Sequence, residues 1–460
     1  MRNALNSDLG GDDRHPVDRP AWTGRNVDRD YRTFQVGNCF PGSGEVILGK
    51  GGFGMIEQFL DREDRRRQTL SQHELERRWK AVRERMAAEE IDYLVVQSQQ
   101  RFTSGWFRWF TDYPGSNFGI TAVFPQDGEM TIISHGPNVP TPPTPRPDWA
   151  WRGVGETITA AAFPTVWWQD GWFAEKAVDV MMRKKPKTVG LVGLGNMSAS
   201  MYENLLKGLE GVKIVNASDL VDEIRMVKSE EELKLHREAA YLHEMSYEVA
   251  KQAIKPGRLA LEAIEEIVDA QRLAGSEEQQ IVVLFGQPGS TVYTKCSWGS
   301  DYIRRAFQPG DVINILIESS VPCGYWYDMR RFMCIGPVPE ATQEAYDITK
   351  EARRHMAAAL VPGATPGDGV DASDKYLATL GCPPENRAAG HGQGIALVER
   401  PIISREDPAI IKAGMVVALH PTAVTDSALG CIADTYVITD AGAVPIYRNV
   451  FDDNEIVDIS

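Results

Sequence analysis

Between Gln287 and Thr439 the chain carries three β-rich segments, and each delivers an acid or an imidazole. The first reads Gly310-Asp311-Val312-Ile313-Asn314-Ile315-Leu316-Ile317-Glu318 and continues through Gly324 to Asp328-Met329-Arg330-Arg331. The second is Gly390-His391-Gly392-Gln393-Gly394. The third runs from Gly414 to His420-Pro421 and is followed by Ile432-Ala433-Asp434-Thr435-Tyr436. Short apolar runs bounded by glycine turns are strand signals. Strands that each end on a polar group mount a constellation on a rigid scaffold, here Glu318, Asp328, His391 and His420. Because side chains alternate along a strand, Leu316, Glu318 and Ser320 share a face.

At 460 residues the chain is long enough for two or more domains. Its net charge of −15 argues against nucleic acid or an anionic membrane as partner. It has no apolar run of about 18 residues, so no membrane span is expected. Met1 to Pro20 is polar, unlike a secretory leader. The six cysteines are scattered without CxxC spacing, which suits reduced thiols and a cytoplasmic setting. Cys296 and Cys323 fall near the polar constellation; for both, a small buried hydrophobe is the preferred reading over a nucleophile.

Residues 1–60 read as an N-terminal extension. The glycine run Gly49 to Gly54 lacks the GK[ST] ending of a phosphate loop, and Gly190, Gly193 and Gly195 lack GxGxxG spacing. Ser71 to Glu90 predicts a helix capped by Ser71, with Leu75, Trp79, Val82 and Met86 on one face. Strands are predicted at Tyr93–Val96, Ile120–Phe124 and Met130–Ile133. Between the first two lies an aromatic stretch, Arg101 to Tyr113, that includes Trp106 and Trp109. Its exposure would mark an interface or a pocket. Pro140 to Trp172, rich in proline and then tryptophan, reads as a covering loop. Further helices are predicted from Ser229 to Ile254, over 259–274, 340–360 and 368–380. Helices alternating with an antiparallel sheet indicate an α+β chain.

Taken in order, these blocks resemble the creatinase / aminopeptidase P / prolidase superfamily. The resemblance implies an α+β pita-bread catalytic domain over 223–460, preceded by a smaller α/β creatinase-type domain over 61–222. It also implies a homodimer in which the aromatic stretch reaches the partner's site. The family's metalloenzymes hold two ions with two Asp, a His in a GHG motif, a Glu before Pro and a final Glu. Here the corresponding positions read Leu316, Asp328, His391, His420 and Ala433, with Asp434 retained beside the last. The family's second His after GHG is Val398. Paired ions need bridging carboxylates, so a dinuclear peptidase is not expected.

Two sites remain open on this reading. In one, Asp328, His391 and His420 hold one divalent ion, Fe, Mn or Zn, with Glu318 as fourth ligand or general base. In the other no metal is used, as in creatinase, and His391 or His420 carries the proton. Hydrolysis of a C–N bond in a small polar or zwitterionic molecule is the expected reaction. The alternatives are a lyase resembling the dimethylsulfoniopropionate-cleaving enzymes, a mononuclear iron oxygenase, and a non-catalytic binding protein of the same fold. Trp298, Tyr302, Trp326 and Tyr327 would cage a substrate cation. Arg331, or else Arg304, Arg305 or Arg330, would pair a substrate carboxylate. A shared ion requires His420 within roughly eight ångströms of His391.

Overall fold

The structure, a computed structural model, describes residues 70–99, 105–115, 118–137, 151–163, 165–288, 294–296, 305–447 and 456–460. Residues 1–60, the glycine run at 49–54, Trp298, Tyr302, Arg304 and the side chain of Cys296 lie outside them.

The N-terminal lobe follows local signals closely. Ser71 caps α1 (Gln72–Ala88), its hydroxyl accepting from the Glu74 amide at 3.0 Å, and Leu75, Trp79, Val82 and Met86 are buried along one side. The lobe is built on β1 (Tyr93–Ser98), α2 (Gly105–Thr111), β2 (Ile120–Pro125), β3 (Met130–His135) and β4 (Val154–Ala160). It continues through α3 (Trp167–Met182), β5 (Thr188–Val192), α4 (Ala199–Gly208), β6 (Lys213–Asn216) and α5 (Ser218–Arg225). Its six strands lie in the order β4-β3-β2-β1-β5-β6, a mixed sheet that is parallel at both ends. The covering loop expected over 140–172 is corrected in its described part. Residues 154–160 pair with β3, and Trp167, Trp168 and Trp172 belong to α3, where burial of Phe173, Ala174 and Ala177 along one face sustains the helix.

The C-terminal lobe opens with α6 (Glu230–Ala253), whose start is a reciprocal capping box between Ser229 and Glu232. Then come α7 (Ala260–Leu273), β7 (Gln279–Gly286), β8 (Thr294–Cys296), β9 (Val312–Ser320) and β10 (Trp326–Cys334). After α8 (Glu340–Ala359) and α9 (Pro366–Thr379) the strands are β11 (Gly390–Gly392), β12 (Glu399–Ile402), β13 (Val416–Leu419), β14 (Thr422–Val424), β15 (Leu429–Cys431), β16 (Asp434–Thr439), β17 (Gly442–Pro445) and β18 (Val457–Asp458). Two five-stranded sheets result, β18-β10-β9-β7-β8 and β12-β11-β13-β16-β17. They meet where Arg330 bridges to Ala433 and where the Asp328 amide donates to Thr435 Oγ1 at 3.2 Å.

The lobes are locked together by buried charge. Arg78 donates to Glu232 at 3.0 Å and to the Tyr325 hydroxyl at 2.6 Å, and Arg108 pairs with Glu277. Arg225 and Lys228 converge on Glu399, the lysine at 3.1 Å. Removing one partner of such a pair costs about 3–5 kcal/mol. Among the described residues, no helix is long and apolar enough to cross a membrane.

Candidate metal centre

Alternation along β10 sorts its side chains. Trp326, Asp328 and Arg330 face one way, while Tyr327, Met329 and Arg331 face the other. On the Asp328 side, register places Asp328 opposite Glu318 and Arg330 opposite Leu316 on β9. Beyond them, Gln280 and Val282 of β7 stand opposite Glu318 and Leu316. Gln280, Val282, Leu284, Leu316 and Arg330 are only half-buried, so this face opens onto the site.

The imidazoles come from the second sheet. His391 is registered with Ala418 on β13, and His420 lies two residues further along, so the two rings are diagonal neighbours on one face. Their centroids are 5.2 Å apart. The flanking glycines make this approach feasible. A Cβ at Gly390 would lie 2.3 Å from the Ala418 carbonyl oxygen, and one at Gly392 would lie 2.3 Å from that of Arg400.

Asp328, His391 and His420 form a group of potential ligands whose donor atoms all lie within 4.8 Å of one another. Asp328 Oδ2 is 3.9 Å from His391 Nε2, too long for a hydrogen bond and open enough for an ion with bonds of about 2.0–2.2 Å to each. His391 Nδ1 lies 3.1 Å from the Gly392 carbonyl, which fixes the proton there and leaves Nε2 as the lone-pair donor. Asp328 Oδ1 and His420 Nδ1 are buried and have no hydrogen-bond partner among the described residues. Orphaned donors of these types, gathered at this spacing, fit a single divalent cation.

The electrostatics agree. Burial first, and then Glu318, push the Asp328 carboxyl well above the usual carboxylate range, against Arg330 and Arg331. Burial pushes Glu318 up to about 7, against the hydrogen bond from Gln280 and the charge of Arg330. Burial lowers His391, and burial with the neighbouring His391 and Arg387 lowers His420 further. In the chain alone, burial thus disfavours the charged form of each of these acids and imidazoles. A cation would restore the ionised acid.

Several expected site residues are placed elsewhere. Glu318 is outside the three-residue group; its Oε2 accepts from Gln280 at 2.6 Å. Tyr327 points away from Asp328, donating to the Ile446 carbonyl at 2.7 Å and packing on His243. Arg331, also on the far face, is 2.5 Å from Asp434 and bonds the Ala433 carbonyl. Asp434 is further neutralised by Arg353. Arg305 is paired with Asp311 at 2.9 Å. Trp326 shares the site face but is 2 % exposed, with no open ring face to offer a ligand. Trp109 lies in the core against Phe110 and Arg78. Trp106 donates to Asp222 at 2.7 Å beneath Arg225. These two rings are tied into their own chain by packing. Cys323 is buried, its thiol pushed up by burial, as suits an inert side chain.

Gln280 and Thr435 had no signal in the sequence, because both act through pairings between distant strands. Arg330 did have one, being two residues from Asp328 on an alternating strand.

Residues 234–440 match the model for metallopeptidase family M24, and 78–227 match that for the creatinase/prolidase N-terminal domain. The chain is 24% identical over 264 residues to the Xaa-Pro dipeptidase of Pyrococcus furiosus, spanning 56% of this chain and 73% of that protein. It superposes on the dipeptidase PepE from Mycobacterium ulcerans with a TM-score of 0.66 at 20% identity, over 85% of this chain and 100% of that one. The X-Pro aminopeptidase from Thermotoga maritima gives 0.67 at 18%, over 82% and 99%. At such identities the structural likeness speaks for the fold alone.

Proposed function

Because the chain belongs to the creatinase / aminopeptidase P / prolidase superfamily, whose matched relatives are hydrolases, we propose that it hydrolyses a C–N bond in a small polar or zwitterionic molecule at a remodelled mononuclear site. The observation that carries this reading is the convergence of Asp328, His391 and His420 within 4.8 Å. Around them Leu316 and Ala433 offer no ligand atom, and Asp434 is neutralised by two arginines. Three ligands suit one ion and not a bridged pair.

A divalent ion there would supply Lewis-acid polarisation of the scissile group and of water. The chain's own residues do the rest. Asp328 and the two imidazoles would hold the ion. Glu318, held through Oε2 by Gln280, keeps its other oxygen for a proton, and with its carboxyl near pH 7 it can both take and return one. Val398, 53 % exposed, offers no polar contact for a peptide backbone. The homodimer belongs to the same proposal, and light scattering checks it.

The deciding experiment is elemental analysis of protein purified without chelator, combined with assays on guanidino, betaine, amide and dipeptide compounds. One equivalent of Fe, Mn or Zn with C–N hydrolysis of a small non-peptide supports the reading. Hydrolysis without metal transfers the chemistry to His391 and His420. Turnover of Xaa-Pro dipeptides, or of nothing in the panel, overturns it.

A further inference from the structure

Gln393 lies two residues beyond His391 and is fully buried, although its carboxamide carries two donors and an acceptor. Its backbone is pinned on both sides. The Gln393 amide donates to the Val416 carbonyl at 3.0 Å, and the next carbonyl, that of Gly394, accepts from the Trp326 amide at 2.8 Å. The segment that carries His391 is thereby tied to the strand that carries Asp328. The side chain makes a second tie. Thr435 stands in one row with His391 and Ala418 across β11, β13 and β16, and its Oγ1 lies 2.8 Å from Gln393 Oε1. The same Oγ1 is 3.2 Å from both the amide nitrogen and the carbonyl oxygen of Asp328.

These contacts assign the protons. The Asp328 amide donates to Thr435 Oγ1, which leaves the hydroxyl's own proton for an acceptor. Gln393 Oε1 is the nearer of the two on offer, so the carboxamide sets its oxygen on Thr435 and turns its NH2 away. That Nε2 has no hydrogen-bond partner among the described residues, and neither has Asp328 Oδ1. A buried donor and a buried acceptor, both orphaned, thus flank one threonine hydroxyl. Unpaired buried polar groups are costly, and carboxylates that ligate a metal are held by outer donors. Resting on the reading above, we propose that Gln393 is a positioning residue for the ion. It braces the Asp328 backbone through Thr435, and its Nε2 donates to Asp328 Oδ1 when Oδ2, the oxygen nearer His391, serves as the ligand. A carboxamide suits this task because it is neutral at every working pH and adds a donor without repelling a cation.

The probe is cobalt(II), titrated calorimetrically into the metal-stripped full chain and followed by its visible d–d absorption. Gln393→Met, close in length but with no amide, is expected to weaken cobalt binding about 10–100-fold, the range outer-shell changes produce, and to shift the absorption envelope. Thr435→Val should weaken binding too, while Thr435→Ser, which keeps the hydroxyl, should restore it. Because the two side chains act in series, the double variant Gln393→Met/Thr435→Val should be little weaker than the weaker single variant. A check on the unmodified protein bypasses any folding defect: in crystals grown with zinc, Gln393 Nε2 should lie within about 3.2 Å of Asp328 Oδ1. Unchanged cobalt affinity in Gln393→Met, strictly additive losses, or an Nε2 directed elsewhere in the zinc-loaded crystal each overturns the proposal, and none of them touches the hydrolase reading. Cobalt binding that depends on Gln393, with no turnover of any C–N compound, supports the proposal and overturns that reading instead. No cobalt binding by the wild type overturns the metal site and this proposal with it.

Discussion

Glu318 and Asp328 stand directly opposite each other on β9 and β10, two buried carboxyls on one patch of sheet. Burial raises the pKa of both, and the neighbouring Glu318 charge raises Asp328 further. As general base, Glu318 works in its ionised form. The rate is therefore expected to climb with pH through about 7. Glu318→Gln should lower turnover by about 10²–10⁴ and erase that limb. An unchanged pH profile in the variant would remove Glu318 from the chemistry.

The ligand group makes a separate prediction about stoichiometry. Wild-type protein should bind one divalent ion per chain. His420→Ala should weaken that binding by well over the roughly 10–100-fold seen for outer-shell changes, since it deletes a ligand outright. Calorimetric titration of the metal-stripped protein checks both. Two ions per chain would contradict the site described.

Asp434 tests the opposite point. Arg331 and Arg353 both depend on it, so Asp434→Asn should cost about 3–5 kcal/mol in urea unfolding. Ion stoichiometry should not change. A loss of metal with little loss of stability would show that Asp434 is a ligand after all.

Glu399 predicts an acid limit to stability. Burial opposes its ionisation, but Arg225 and Lys228 outweigh this and hold its carboxyl down to about 2, against an ordinary value of 4.5. A depressed acid stabilises the fold above its unfolded pKa, and that contribution is lost as pH falls from 4.5 towards 2. It amounts to something on the order of 3 kcal/mol. The stability gap between wild type and Glu399→Gln should accordingly narrow across that window, and a constant gap would contradict the ion-pair account.

The tryptophans separate core from surface. Trp109→Ala should destabilise by about 3–5 kcal/mol, as for other buried large side chains. Trp168→Ala, at a position 64 % exposed, should change unfolding by less than about 0.5 kcal/mol. Thermal or urea unfolding of the two variants reads the difference directly.

Much of the architecture was legible from local rules. Ser71 and Ser229 announced their helices, because an N-cap hydroxyl answers amides only a few residues away. The strand from Val312 to Ser320 was readable from its apolar run, and the four polar site candidates were readable by type and order. Alternation should also have removed Tyr327 and Arg331 from the site and put Arg330, named there only as an alternative, ahead of Arg331, since Asp328 fixes the face of every neighbour on its strand. The tryptophan-rich segment misled because composition does not report which face of a helix or strand is buried.

What the chain alone determined was the inventory: which elements form, in what order, and which acids and imidazoles sit at their ends. Only the assembled molecule decided the partnerships. Asp328 meets Thr435 across 107 residues, Arg331 meets Asp434 across 103, and Arg78 meets Glu232 across 154. Those meetings depend on register between strands and on packing between lobes, and they select which charges are cancelled and which polar atoms, like Oδ1 of Asp328, are left without a partner among the described residues.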